Sequence, residues 1–411
     1  MRPTLLAGTI ALALCCADAR AGDLLTAAAE KTAAADAAAL AAEGTTAEEG
    51  DDEKDGEFKV YWKNGRTTIE MEDARLDIRN RISFRFTNEM PDDSIRLPGT
   101  ENPGDSKPSF RVRRAKTEFA GWFWKKELTY ELQLSWAGPE TGASTDSALE
   151  DMLLTWDASK KEAFQITIGQ FKVPMGRQEM TTSIGLQFAD RSILSGEFSR
   201  GRDVGVMTWG RIADKKLEYR AGVFNGNAAS RTTNDNAKLQ YNARVMFEPW
   251  GEVGYSEGDF ESKDKPLLAV AVGFENNNLQ GSTQGQQGSI ADLNTTILST
   301  DVVFKYKGLS LYGEYFSRER DPEVGPTFHS DGYQVQAGVF LKRDKLEAAF
   351  RYAAWDPTDL VDGNDRTETG VALNYFILKH QLKFQADLRW LEDEGRDLSG
   401  SELRIQTYVS F

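Results

Sequence analysis

Cysteine is almost missing from this chain: the only two among 411 residues, Cys15 and Cys16, stand side by side near the N-terminus. Histidine is as scarce, with His329 and His380 alone. Thiol chemistry therefore has no parts beyond residue 16, and with two histidines neither a histidine-rich metal centre nor a Ser-His triad is expected. No apolar run after residue 17 approaches the roughly 20 residues a helix needs to cross a bilayer. Mean hydropathy is −0.50. Positive charge is in deficit as well, 49 Lys and Arg against 64 Asp and Glu, a formal net charge of −15. A chain of that sign has no electrostatic basis for binding nucleic acid, and none is expected as a partner.

What is present begins with an address. Arg2, the apolar stretch from Thr4 to Ala17, and Ala19-Arg20-Ala21 read as a secretory signal, residues 1–21, removed after about Ala21. Both cysteines fall inside it, and Ala13-Leu14 before Cys15 fit a lipoprotein signal badly. Residues 22–57 differ in kind. Asp23 to Ala42 is alanine-dominated and helical if ordered, while Glu48 to Glu57 is an acidic run that stays solvated. Eleven acids against Lys31 and Lys54 give this segment a charge of −9, leaving −7 for residues 58–411. It reads as a periplasmic tail or spacer, with a short helical oligomerisation stub as the alternative.

Aromatics are plentiful: 22 Phe, 9 Trp and 12 Tyr. From about Leu76 to Phe411 the hydrophobic period is two. Leu76, Ile78, Ile82, Phe84 and Phe86 open the series, and Leu403, Ile405, Thr407, Val409 and Phe411 close it with an aromatic terminus. A register change near Arg113-Arg114 predicts a β-bulge. Sixteen such segments can be counted. The expected fold is all-β, a transmembrane up-and-down antiparallel β-barrel over residues 58–411. Such a barrel must be closed because no unpaired backbone edge is tolerable in lipid. A secreted sandwich or β-helix is the competing architecture. Tight links (Lys307-Gly308, Arg343-Asp344) should alternate with long ones (88–108, 137–147, 276–294, 317–331, 356–366), the tight ones periplasmic.

With the apolar set facing lipid, the first strand turns Arg75, Arg79, Arg81 and Arg85 to the lumen. The second adds Arg111, Arg113 or Arg114, and Lys116; later strands add Arg220, Arg244, Arg351, Lys383, Arg389 and Arg404. A charge on the lipid face costs about 2–4 kcal/mol near the midplane, so confinement to one parity is what a pore demands. Arginine columns lower the barrier to anions, and guanidinium forks match phosphate oxygens. Pairing with Glu118, Glu131, Asp151, Glu218, Glu248, Glu314, Glu347 and Asp387 is the alternative role of these cations.

The longest link, Lys172 to Asp203, carries Ile184, Leu186, Phe188, Ile193, Leu194 and Phe198. That is too apolar for a solvated loop. Folded back into the barrel, it would form a constriction with Lys172, Arg177, Arg191, Arg200 and Arg202 near it. A lid outside the mouth is the other arrangement.

Several ordered pieces carry a resemblance to a known family. They are Phe110-Arg111-Val112-Arg113-Arg114-Ala115-Lys116, Gly121-Trp122-Phe123 leading into Leu128-Thr129-Tyr130-Glu131-Leu132, and Ile168-Gly169-Gln170-Phe171-Lys172-Val173-Pro174-Met175-Gly176. Arg202-Asp203-Val204-Gly205-Val206 and Gly222-Val223-Phe224-Asn225-Gly226 follow. Over residues 66–411 the chain resembles the phosphate-selective porin O and P family. The resemblance implies a sixteen-stranded homotrimeric porin of the cell outer membrane, a constricting third loop, and Arg and Lys residues that draw anions inward.

The leading expectation is thus a water-filled diffusion channel in outer-membrane lipid, passing small anions such as phosphate or polyphosphate. A general or cation-tolerant porin, or a structural barrel anchored through its tail, remains open. No catalytic residue, cofactor or metal is expected: no nucleophile–base spacing appears, and the acidic segment Asp356 to Asp365 reads as turns.

Overall fold

A computed structural model describes residues 58–92, 106–137, 148–229, 234, 236–260, 264–281 and 290–411. The expected signal (1–21) and tail (22–57) lie outside the described residues.

Among the described residues eighteen strands follow in order. A short hairpin, β1 (Lys59–Lys63) and β2 (Arg66–Glu70), precedes β3 (Ala74–Pro91), β4 (Lys107–Phe123), β5 (Lys125–Ser135), β6 (Leu149–Asp157) and β7 (Gln165–Lys172). Two short helices, α1 (Arg177–Met180) and α2 (Ile193–Phe198), separate β7 from β8 (Arg202–Ile212). Then come β9 (Leu217–Phe224), β10 (Gln240–Phe247), β11 (Leu267–Gly281), β12 (Ile290–Tyr306) and β13 (Leu309–Pro322). The series ends with β14 (Phe328–Lys342), β15 (Leu346–Asp356), β16 (Arg366–Leu378), β17 (Leu382–Asp393) and β18 (Leu398–Ser410).

Every strand pairs antiparallel with its neighbour in sequence, and β18 returns to β3 from Ser410↔Arg81 to Gly400↔Pro91. Strands β3 to β18 thereby form one closed ring of sixteen. Closure satisfies every edge within the ring, as hydrocarbon requires. At the seam, Asn80 and Phe411 exchange backbone hydrogen bonds of 2.6 and 3.0 Å.

The alternation decides which side chain meets which medium. Phe84, Phe110, Met152, Val206, Val245, Val272, Val302, Val335, Phe350, Val371 and Ile405 are all exposed, while their neighbours Arg85, Arg244, Gln336, Arg351 and Arg404 are buried. This is a protein turned inside out: apolar outside, polar within. The bulge lies where the sequence placed it. Ser83 pairs with Arg114 and Phe84 with Val112, so Arg113 is the extra residue and both arginines turn inward.

Three features differ from expectation. The hairpin β1–β2 is additional; Asn64 (φ 55°) and Gly65 (φ 71°) make its turn, and β2 continues the wall along β3 below the end of β18. Strands β11 to β14 run well into the stretches 276–294 and 317–331, because the ladder between them persists beyond the apolar band. Finally, residues 248–266 form a long link at the end of the barrel where the others are tight. The strict alternation of link lengths fails there.

Candidate functional site

The residues between β7 and β8 do not cover the mouth of the barrel. They fold into it. Val173, Met175, Leu186, Phe188, Leu194 and Phe198 are all buried, and what buries them is the inner wall. Met175, Leu194 and Phe198 pack with Ile297, Phe316 and Trp355 of β12, β13 and β15. Phe188 packs on Ala349 and Ala372 of β15 and β16, with the Arg351 guanidinium 4.1 Å from its ring centre. The wall makes room through glycine: a Cβ on Gly332 would come within 2.3 Å of Leu194 Cδ1 and 2.6 Å of Trp355 Cβ. Ser192 caps α2 by accepting from Ser195 N.

Polar side chains of the wall satisfy the loop backbone, which a buried loop cannot leave unpaired. Lys383 donates to the Ile184 and Leu186 carbonyls (2.7 and 3.1 Å), Asn374 to Gln187 O (2.9 Å), and Asp387 accepts from Ala189 N (2.7 Å). Glu368 accepts from Ile193 N (2.9 Å), and Glu314 accepts from Arg177 N (2.6 Å).

One loop carboxylate is shared by four guanidiniums. Asp190 accepts from Arg85, from Arg114 (2.9 Å), from Arg113 (3.3 Å) and from Arg404 (3.4 Å). Burial alone would raise its pKa, but Arg114, Arg85 and Arg113 hold it well below the usual carboxylate range. The loop is thus pinned across the lumen to β3, β4 and β18.

The loop fills the sector under β10–β18 and leaves the opposite sector open. A cavity of about 790 Å³ lies there, walled by β2–β9 on one side and by Met180, Thr182, Ser183 and Arg191 of the loop on the other. Its charged lining is uneven: Arg66, Arg75, Arg79, Arg81, Lys116, Lys172, Arg191, Arg202 and Arg220 face it, against Asp77, Glu118, Glu131 and Asp151. Arg66 (3.6 Å), Arg79 (2.5 Å) and Arg81 all share the single carboxylate of Glu118. Arg75 pairs with Asp77 at 3.0 Å. Positive charge is therefore in excess along β2 and β3 even after pairing.

The expected site residues divide accordingly. Arg75, Arg79, Arg81, Lys116 and Arg220 border the open cavity; Arg220 is held by Glu218 at 2.8 Å and lies 5.0 Å from the Trp209 ring centre. Arg85, Arg113 and Arg114 form the cluster around Asp190, and Arg111 is exposed opposite Arg85. Arg244 is sealed beneath the loop, 2.6 Å from Asp301 and 3.2 Å from the Met175 carbonyl, so it does not face the cavity. Among the loop cations, Lys172 and Arg191 border the cavity while donating to the carbonyls of Glu179 and Thr181. Arg202 forks onto Asp151 at 2.9 and 2.7 Å. Arg200 reaches Gly226 O at 2.9 Å, away from the cavity. Arg177 is buried over the Tyr255 ring at 4.9 Å. Its placement is dictated by residues 248–260, which the alternation of link lengths gave no reason to place inside.

Sequence reasoning missed Arg66 and Asp190. The first belongs to a hairpin whose Asn64-Gly65 turn was a usable signal. The second is the only acid between Glu179 and Glu197.

A closed sixteen-stranded barrel, apolar without and charged within, with one loop folded across its lumen, defines a porin of the outer membrane. Over residues 84–407 the sequence matches the phosphate-selective porin O and P family, and the chain belongs to that family. No curated protein matches the chain. Solved structures share the fold at low identity. The anion-selective porin from Comamonas acidovorans is 10% identical, with 82% of this chain and 100% of that chain covered and a TM-score of 0.59. OmpT of Vibrio cholerae in its trimer form is 13% identical over 83% and 100% of the two chains, TM-score 0.55. OprB of Pseudomonas putida is 11% identical over 82% and 94%, TM-score 0.50.

Proposed function

We propose that this porin is an anion-preferring diffusion channel with phosphate, or short polyphosphate, among its solutes. The carrying observation is the guanidinium excess along β2 and β3 on the wall of the open cavity, where Arg66, Arg79 and Arg81 share the single carboxylate of Glu118. An anion that leaves bulk water meets donors already in place, and guanidinium forks suit its oxygens. Sharing among several arginines keeps any one contact weak enough to release, as conduction requires. The name of the family and the anion selectivity of the Comamonas porin support the same reading.

The test is a reversal potential in a planar bilayer under a KCl gradient. Anion preference is expected at neutral pH, reduced in Arg79→Ala and increased in Glu118→Gln. Phosphate titrated against chloride should then lower the chloride current. A cation preference of the wild type would overturn the reading and leave a porin of the other kind.

Further parts of the reading concern processing and assembly. Export is proposed to remove residues 1–21, leaving 22–57 as a periplasmic tail before the barrel. A homotrimer is proposed by analogy with the trimer form of the Vibrio cholerae protein.

A further inference from the structure

The link after β10 turns inward instead of closing a tight hairpin, and it meets the constriction loop inside the barrel. Besides Arg177 over Tyr255, the contact is made by Glu257. Its carboxylate accepts from Gln178 Nε2 (2.8 Å) and Gln187 N (2.7 Å), both of the loop, and from Gln336 Nε2 (2.9 Å) of β14. Its own N–H donates to Gly185 O at 3.0 Å. Two positions nine residues apart in the loop and one on the wall are thus tied to a single side chain.

The link is itself held firmly. Lys305 donates to Ser256 O (2.7 Å), Asp259 accepts from Gly308 N (2.7 Å), and Glu248 accepts from Val253 N (2.7 Å). Phe260 packs edge-to-face against Phe340 and Phe376 with ring centres 4.9 and 4.4 Å apart. Gly258 runs so close to the wall that a Cβ would lie 2.5 Å from Glu347 Oε1. On its other side the link presents Tyr255 to the open cavity, where the hydroxyl reaches Glu218 at 3.1 Å.

We propose that residues 248–260 are the mount of the constriction loop and that Glu257 is its positioning residue. The second half of the loop has anchors of its own in Phe188, Asp190 and Phe198. The first half, 177–187, is held to the wall by Glu314, Lys383 and Asn374, and within it Glu257 bridges Gln178 to Gln187; the same half carries Thr182 and Ser183, which border the cavity. Losing the mount lets that rim lift and widens the passage. This holds for a porin of this shape whichever ion it prefers, so it stands apart from the anion reading.

Single-channel recording in symmetric KCl tests it with Glu257→Ala, Glu257→Gln and Gln336→Ala. Because its hydrogen bonds are charge-assisted, removal of the carboxylate should raise occupancy of a wider, noisier conducting level at least about tenfold. Glu257→Gln keeps one acceptor oxygen and should fall between. Should Glu257→Ala fail to give a detergent-stable barrel, the two milder variants read the same effect. A folded Glu257→Ala channel, or a pair of folded milder variants, with wild-type conductance and noise would overturn the proposal. Loss of anion preference without change in conductance would count against it equally, because the mount acts on width and not on sign.

Discussion

Asp190 is a single carboxylate facing four guanidiniums, and its consequences can be read in two directions. With the carboxylate neutralised in Asp190→Asn, Arg85, Arg113 and Arg114 lose the negative charge they share there, while Arg404 keeps Asp387 at 2.6 Å. A rise in the anion-to-cation permeability ratio is expected from reversal potentials. Stability should move the other way. A carboxylate whose folded pKa is depressed contributes stability above its unfolded value, about 3.9, and loses it only as pH falls through the lower folded value. The difference in thermal midpoint between wild type and Asp190→Asn should therefore be equal at pH 7 and pH 5. It should shrink only in stronger acid. A difference that vanishes by pH 5 would show that the arginines do not hold the proton off.

At the scale of elements, the constriction loop is a small apolar core built inside a pore. Truncating a buried Phe in a protein core costs about 3–5 kcal/mol. Here the barrel is closed by its own ladder, so Phe188→Ala should release the loop and leave the barrel folded. The expected signature is higher conductance with unchanged resistance to detergent unfolding; loss of the folded barrel would show that loop and wall form one cooperative unit. The loop was legible because six large apolar residues in one long link must be buried somewhere. The strands were legible because lipid and water alternate along them, and the bulge because Arg113 and Arg114 cannot both obey that alternation. The mount was not legible. Nothing in the sequence marks Glu252, Glu257 and Asp259 for burial, and two of them are buried against Gly308 and Gln336, brought near only by closure of the ring. The continuation of β11 and β13 past the membrane was hidden for a similar reason: Asn276, Asn277 and Asn278, or Arg318, Glu319 and Arg320, look like loop until a partner strand is supplied.

For the whole molecule, the acidic total and the cationic passage are compatible because charge is sorted by place. Residues 58–411 sum to −7 while the open cavity carries an excess of Arg and Lys. Selectivity arising from that local excess acts over a Debye length, about 10 Å at 0.1 M salt and 3 Å at 1 M. The anion-to-cation ratio should accordingly be larger in 0.1 M than in 1 M KCl, measured at the same concentration ratio across the membrane. A ratio independent of salt would assign selectivity to close contact alone.

Because loop and mount together occupy the arc beneath β10–β18, the conduit does not coincide with the axis of the cylinder. Seen end-on in a stained two-dimensional array, each ring should hold an eccentric dark spot, displaced toward the arc of β3–β9. A solute passing through would slide along one side of the tube. Engineering aimed at sensing or sieving would then have to place its new groups on that arc, since replacements on the far side alter the packing and leave the solute untouched.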